Sequence, residues 1–265
     1  MMSAEPITGG VARAARFRSS AATHVGTVRT RNEDKFVNRP DLGIWAVADG
    51  AGGHEAGDVA AQIVTEALSE VPIGLGAAEL LAEVRLRVAQ AHDNIRAEAA
   101  RRGEHAILAT TIVVLLAHRN HYACLWAGDS RTYLLRGGRL SQVTHDHSLV
   151  QELVDAGALS PEEALSHPRS NVITRAVGAD FSTLELDKAS DRLRHGDRFL
   201  LCSDGVSKIV PEAEIARLLA ADEASPAERL IAAALDRHAD DNITAVTIEV
   251  LLVSPDVTVR RDFGQ

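Results

Sequence analysis

Apolar residues recur along this chain with two different periods, and each period predicts a different kind of element. Where apolar residues recur every three or four positions, an amphipathic helix is predicted. The segments with that pattern are 56–71, 77–101, 212–220 and 227–238. Short apolar or alternating runs that are bounded by turn residues predict strands. Those runs are 22–28, 36–48 (interrupted by a turn at 39–43), 109–117, 121–127, 131–135, 140–143, 183–189, 198–203 and 243–252.

The order of these elements predicts an α+β fold. Runs of strands separated by pairs of helices favour antiparallel sheets covered by helices over regular βαβ winding. The segment 146–180 follows neither period, because it is polar, short-helical and interrupted by prolines and glycines. Long irregular segments of this kind are often functional. With neither an internal repeat nor a low-complexity linker, the 265 residues are predicted to form one domain over 19–253, between flexible tails at 1–18 and 254–265.

Composition and charge narrow the classes of partner. A net charge of -9 opposes general binding to nucleic acid or to anionic membranes, because both carry negative charge themselves. An aromatic content of 3% argues against a stacking platform for single-stranded nucleic acid. No apolar stretch approaches the ~20 residues of a membrane helix, and the start of the chain lacks the apolar region of a secretory signal. We therefore expect a cytoplasmic protein that binds neither nucleic acid nor membrane. A monomer is expected as well, although none of these properties bears on the oligomeric state.

Four aspartates lie where apolar strands are predicted to end and the chain turns: Asp49, Asp129, Asp204 and Asp241. A carboxylate at a strand end projects into a cleft while the sheet fixes its position, as a site for a hard cation requires. The absence of CxxC and HExxH patterns favours Mg²⁺ or Mn²⁺ over zinc. Asp-Gly and Asp-Asn pairs are also common turn dipeptides, so each aspartate taken singly has turn chemistry as an alternative explanation.

Seven sequence blocks together resemble a known family. In chain order they are GTVRTRNEDKF, WAVADGAGGHEAGD, ATTIVVLLA, WAGDSRTYLL, SNVITRAVG, LLCSDGV and DDNITAVTI, and they extend from 26 to about 250. This set resembles the bacterial branch of the protein phosphatase 2C family, the metal-dependent PPM phosphatases. The resemblance implies a four-layer α-β-β-α sandwich, with two antiparallel sheets flanked by helix pairs. It also implies a metal cluster at one end and a flap insertion at 146–180.

The same resemblance implies the metal ligands. Asp49 would bridge two ions, and the Gly50 carbonyl would bind one of them. Asp204 and Asp241 would complete the shell of the first ion. Asp129 matches the position that, together with Asp204, holds a third and weaker ion in bacterial members. The implied cofactors are therefore Mn²⁺ or Mg²⁺ ions, two in number with an optional third.

Residues near these ligands match further positions of the family. Arg29 matches the arginine that grips the substrate phosphate, which suits the forked guanidinium group. Glu33 and Asp34 match an acidic pair that contacts metal-bound waters. Within the flap, Asn171 and Arg175 are interpreted as anchors of its base rather than as substrate contacts.

The implied chemistry requires no protein nucleophile, since two cations can activate a water. Consistently, Cys124 and Cys202 lack an arginine at the CxxxxxR spacing of cysteine-dependent phosphatases, and both are expected to be buried thiols. The leaving alkoxide needs a proton. His54 in the GGH loop is the candidate general acid, with His145, His147 or a metal-bound water as alternatives.

The resemblance implies a protein-serine/threonine phosphatase that reverses a bacterial Ser/Thr kinase. It is nearest to stand-alone bacterial enzymes, including those paired with kinases that control secretion systems, so the implied partners are phosphorylated proteins and a cognate kinase. Two alternatives stay open: a phosphatase-fold module that binds or regulates without efficient catalysis, and a phosphatase of small phosphate esters. Ala51 and Ala109 replace a methionine and a glycine found in many relatives, but neither change removes a ligand.

Overall fold

A computed structural model of the chain describes residues 15–52, 56–103, 106–179, 183–221 and 225–252. In chain order its elements are β1 (Ala15–His24), β2 (Lys35–Arg39), β3 (Ile44–Ala48), β4 (Gly50–Ala51), α1 (Ala56–Ser69), α2 (Ala77–Arg102), β5 (Ala109–Thr110), β6 (Ile112–His118), β7 (His121–Ala127), β8 (Arg131–Arg136), β9 (Arg139–Gln142), α3 (Leu149–Asp155), α4 (Pro161–Leu165), β10 (Asp187–Arg192), β11 (Arg198–Cys202), α5 (Asp204–Ser207), α6 (Glu212–Ala220), α7 (Pro226–Leu235) and β12 (Ile243–Leu252).

Most of the strands belong to two five-stranded antiparallel sheets. Sheet A has the order β1-β12-β11-β8-β9, and sheet B has the order β10-β7-β6-β3-β2. The short strands β4 and β5 pair with each other beside them. Strand pairing is antiparallel throughout both sheets, so the predicted α+β class with antiparallel sheets is confirmed.

The two sheets pack face to face, and helices cover their outer faces. Trp45 of sheet B and Phe199 of sheet A are completely buried between the sheets. Edge-to-face contacts with centroids 4.9 Å apart join Trp45 to Phe17 and Phe199 to Tyr122. Apolar residues of α1 and α2 pack on sheet B, and those of α6 and α7 pack on sheet A. This is the predicted four-layer α-β-β-α sandwich.

The helices follow the apolar periodicity of the sequence. One face of α1 is buried through Ala60, Val64 and Leu68, with Ala61 and Thr65 beside them, while Gln62 and Glu66 on the other face are exposed. At the start of α2 the Glu79 carboxylate accepts a hydrogen bond from the Gly76 amide at 2.8 Å, which satisfies a donor that the helix leaves unpaired. None of the described helices is long and apolar enough to cross a membrane.

The loops with the aspartates meet at one end of the sandwich. Asp49 follows β3 and Asp129 follows β7, both in sheet B, whereas Asp204 follows β11 in sheet A. Asp241 does not end a strand as predicted; it lies just before β12. Because β12 runs antiparallel to its neighbour β11, the start of β12 lies at the same edge of the sheet as the end of β11.

Several predicted boundaries are wrong. β1 begins at Ala15, so residues 15–18, predicted to belong to a flexible tail, pair with β12 instead. The alternation of basic and apolar residues in ARFRSS suits a half-buried strand, with Phe17 directed at the core. The strand predicted at 183–189 is Asp187–Arg192. β4 and α5 were not predicted, because two and four residues are too few to show a period. The predicted tail at 254–265 lies outside the described residues.

The layer between the sheets should dominate stability. Replacing Phe199 by alanine leaves a cavity against Tyr122, and we expect the free energy of unfolding to fall by about 3–5 kcal/mol. Urea unfolding followed by circular dichroism measures this change. In the control Leu86→Ala, the replaced side chain is 52% exposed on α2, and the expected change is within about 0.5 kcal/mol. Equal changes in the two variants would contradict the assignment of the inter-sheet core.

Candidate metal centre

A cleft of about 590 Å³ opens where the loops of both sheets meet. Most of the predicted site residues line it, namely Arg29, Glu33, Asp49, Gly50, Asp129, Asp204 and Asp241. Asp34 does not line the cleft; it is buried beside these residues and accepts a hydrogen bond from the Ser203 hydroxyl at 2.7 Å. His54 lies outside the described residues. The fold therefore brings together residues that are up to 212 positions apart in the sequence.

The backbone of Asp49 is fixed by two threonines whose roles the sequence analysis missed. The Asp49 amide donates to the Thr111 hydroxyl at 3.1 Å. The Asp49 carbonyl accepts from the Thr111 amide at 2.8 Å and from the Thr110 hydroxyl at 3.0 Å. The Thr111 hydroxyl is also hydrogen-bonded to that of Ser130 at 2.7 Å. Asp49 is thereby held in place relative to residues that lie next to β6 and β8.

Gly50 is required by close packing rather than by a turn. A Cβ atom at this position would lie 2.3 Å from the Gly57 carbonyl oxygen and 2.8 Å from that of Glu33. No side chain fits there, because real Cβ atoms do not approach so closely. The absence of a side chain lets the backbone after Asp49 pack directly against the start of α1 and the loop before β2.

Asn242 fastens the loop before β2 to the start of β12. Its side-chain oxygen accepts from the Glu33 amide at 2.7 Å, and its Nδ2 donates to the carbonyls of Val25 and Arg31 at 2.9 and 2.8 Å. Its own amide donates to the Asp241 carboxylate at 2.8 Å. This one side chain therefore sets the position of the loop at 25–33 relative to Asp241.

Arg29 lies at the mouth of the cleft, where its Nη2 donates to Asp241 at 2.8 Å. The hydrogen bond and the charge of Asp241 raise the pKa of Arg29. The side chain is about half exposed, so the ion pair itself adds little to stability. A guanidinium group carries five N–H donors, and it can therefore hold Asp241 and bind an oxyanion in the cleft as well.

Lys208, which the sequence analysis did not single out, lies among the carboxylates. Its Nζ is 2.7 Å from Asp204 Oδ2, 3.5 Å from Asp129 Oδ2 and 2.8 Å from Asn171 Oδ1. Burial lowers the pKa of Lys208, but Asp204 and Asp129 outweigh this effect and raise it. The i,i+4 spacing from Asp204 is the signal that could have indicated the pair, had α5 been recognised.

Burial and mutual repulsion make the charged forms of these carboxyl groups unfavourable. The pKa of Asp49 is raised well above its ordinary value by burial, and then by Asp34, Asp204 and the other carboxylates. Burial also raises the pKa of Asp34 to about 7 and that of Asp129 to about 6. A bound cation would reverse this balance by stabilising the ionised forms.

The donor groups fit a hard divalent cation. Asp34 Oδ1 and Asp129 Oδ1 are buried without a hydrogen-bond partner among the described residues. No described histidine or cysteine lines the cleft, so oxygen predominates among its ligands, as Mg²⁺ and Mn²⁺ prefer. Within the described ranges, however, no group of three or more His, Cys, Asp or Glu side chains is placed to hold a metal ion. The cations Arg29 and Lys208 pair with two of the carboxylates instead.

The other two histidines considered as general acids are held by contacts outside the cleft lining. His145 pairs with Asp155 at 2.7 Å. His147 is nearly buried, where its Nδ1 accepts from the Gly128 amide at 3.2 Å and its Nε2 lies 3.3 Å from Asp187 Oδ2. Neither side chain lines the cleft. The role of His147 in the structure is to support the turn before Asp129.

The flap is attached at both of the positions singled out from the sequence, but in different ways. Arg175 donates to Asp187 at 2.7 Å and so anchors the flap to β10. Asn171 lines the cleft and accepts from Lys208. The flap therefore contributes to the wall of the site through Asn171, in addition to its anchoring role.

Comparison with known proteins places this architecture in a family. The family model for protein phosphatase 2C matches residues 23–244. The serine/threonine protein phosphatase PstP of Mycobacterium tuberculosis is 40% identical over 252 residues, which make up 94% of this chain and 46% of that relative. The chain thus spans about half the length of this curated relative.

Solved structures show the same similarity. PppA, described as a key regulatory component of T6SS in Pseudomonas aeruginosa, is 40% identical, with a TM-score of 0.83 over 90% of this chain and 100% of that one. The catalytic domain of PstP in complex with two manganese ions is 37% identical, with a TM-score of 0.76 over 89% of this chain and 99% of that one. The sequence blocks, the four-layer sandwich and these matches agree: the chain belongs to the protein phosphatase 2C family.

Proposed function

We propose that this chain is a metal-dependent protein-serine/threonine phosphatase. The observation that carries the proposal is that one cleft contains the carboxylates Asp49, Asp204 and Asp241 together with the guanidinium group of Arg29. Oxygen ligands for hard cations and a fork for phosphate oxygens are together well suited to metal-assisted phosphate ester hydrolysis. Family membership and the manganese ions in the related PstP structure support the same function.

The residues that would hold two Mn²⁺ or Mg²⁺ ions are Asp49, the Gly50 carbonyl, Asp204 and Asp241. Bound divalent ions supply Lewis acidity to phosphate oxygens and lower the pKa of a water toward ~7. The chain fixes the site for them through the Thr111 contacts to Asp49 and the Asn242 contact to Asp241. Glu33 lines the cleft, and burial raises the pKa of its carboxyl group.

Arg29 would bind and orient the phosphate group at the mouth of the cleft. To do so it need not leave Asp241, because the two groups pair through a single guanidinium nitrogen. The proposed proton donor to the leaving serine or threonine oxygen is His54 or a water. The flap residue Asn171 lines the same cleft and would contact the substrate on the side of the flap.

The proposed substrates are phosphorylated proteins, and the proposed partner is a bacterial Ser/Thr kinase whose products the enzyme reverses. The similarity to PppA, which is a regulatory component of a secretion system, supports a role of that kind for this chain. A cytoplasmic monomer is the simplest form in which such an enzyme would meet its substrates.

The first test is hydrolysis of a phosphothreonine peptide in Mn²⁺. EDTA should abolish turnover, and Asp204→Asn should lower kcat/KM by more than about 100-fold, because loss of an outer contact to a metal ligand alone costs about 10–100-fold. The control Asp93→Asn changes an exposed carboxylate on α2 and should match the wild type. Turnover that persists in EDTA or in Asp49→Ala would reject the mechanism, and a preference for small phosphate esters would redirect the proposal to that substrate class.

If Arg29 binds the phosphate as a fork, a lysine at the same position should not restore its contribution to activity. Arg29→Lys keeps the charge but loses the fork, and we expect kcat/KM for the phosphopeptide to fall by about 10–100-fold, as for loss of a hydrogen bond between charged groups. The control Arg85→Ala removes an exposed arginine of α2. Equal activity of Arg29→Lys and wild type would show that Arg29 does not bind the phosphate as a fork.

Cation binding should also stabilise the fold independently of catalysis. At a Mn²⁺ concentration of 100 Kd, linkage stabilises the native state by about 2.7 kcal/mol, which for this size corresponds to a Tm increase of about 5–10 °C. Differential scanning fluorimetry measures the shift. The increase should disappear in Asp204→Asn and persist in Asp93→Asn, and an equal shift in all three proteins would show that the ions bind elsewhere.

A further inference from the structure

Lys208 places a positive charge where the family resemblance assigns a third metal ion. We propose that its ammonium group occupies the position between Asp129 and Asp204. On this reading the chain binds two divalent ions readily, and binds a third only by displacing the lysine. This inference rests on the proposed function, because it concerns the same metal centre.

The contacts of Lys208 match what an ammonium group requires. Such a group has three N–H donors and no acceptor. The three oxygens within 3.5 Å of Nζ belong to Asp204, Asp129 and Asn171, the first two ionisable and the third neutral. The number of oxygen partners therefore equals the number of donors, and the group is satisfied where it lies.

The same position would otherwise suit a cation. Asp129 is 4% exposed, and its Oδ1 has no hydrogen-bond partner among the described residues. The side chain of Asp204 is 15% exposed and pairs with Lys208 from the preceding turn of the chain. A hard ion would bind oxygens of the same two carboxylates that now pair with Nζ.

Lysine and a divalent ion cannot share these oxygens. An ammonium group within about 4 Å of a divalent ion repels it, and only partial screening is available at a side chain that is 29% exposed. Binding of a third ion therefore requires Nζ to leave Asp204 and Asp129. Because Nζ also holds Asn171, that movement would at the same time release one contact between the flap and the rest of the site.

The test is the binding of Mn²⁺ measured by isothermal titration calorimetry and by the electron paramagnetic resonance signal of free Mn²⁺. Lys208→Met keeps much of the length of the side chain, removes its charge and adds a thioether, which is a poor ligand for a hard ion. In this variant we expect a third ion to bind at least about tenfold more tightly than in the wild type. The control Lys188→Met alters an exposed lysine on β10 and should leave the titration unchanged.

A double variant tests where the third ion binds in Lys208→Met. Adding Asp129→Asn to Lys208→Met should remove the increase in affinity for the third ion, because Asp129 is its proposed ligand. A third ion that binds equally tightly to the wild type and to Lys208→Met would overturn the inference while leaving the two-metal phosphatase intact. A gain that survives Asp129→Asn would overturn it as well, by placing the ion elsewhere.

The wild-type protein provides a check that does not depend on the folding of any variant. Three Mn²⁺ ions bound with similar affinity would contradict the position proposed for Lys208. A wild-type protein that bound no Mn²⁺ would overturn both the inference and the proposed function. Two ions bound tightly, and a third bound at least about tenfold more weakly, is the expected result.

Discussion

The main physical constraint on this fold is that it must hold several carboxylates close together although they repel one another. Asp34 and Asp129 are almost completely buried, Asp49 is partly exposed, and all three lie near Asp204. Desolvation raises the pKa values of these three carboxyl groups, and repulsion from the neighbouring carboxylates raises them further. Such an arrangement costs free energy that other parts of the fold must offset. Three apolar layers, one between the sheets and one beneath each helix pair, provide that stability at a distance from the charges.

Two cationic side chains, Arg29 and Lys208, compensate part of the negative charge of these carboxylates. Arg29 pairs with Asp241 and Lys208 pairs with Asp204, and the second pair is the less exposed. Each of these pairings occupies a carboxylate that the family resemblance assigns to a metal ion.

The sequence predicted those elements of the fold that are long enough to show an apolar period, and those site residues that adjoin a clear apolar run. The helices α1 and α2 and the strand β12 show clear periods, and the aspartates stand beside strands that the apolar runs reveal. The position of Lys208 could not be predicted, because α5 has only four residues and the contact with Asn171 spans 37 positions. The role of Thr111 escaped it as well, since its hydroxyl acts on the backbone of a residue 62 positions away. Tertiary contacts of this kind leave no periodic signal along a chain.

The position of the centre also explains why both sheets are needed. Asp49 and Asp129 follow strands of sheet B, whereas Asp204 and Asp241 adjoin strands of sheet A. The distance between these two pairs is therefore set by how the sheets pack on each other, and that packing depends on the buried aromatic layer around Trp45. Protein interiors are close-packed and transmit small displacements, so the inter-sheet core helps to set the geometry of the carboxylate cleft although none of the described side chains of that core lines it.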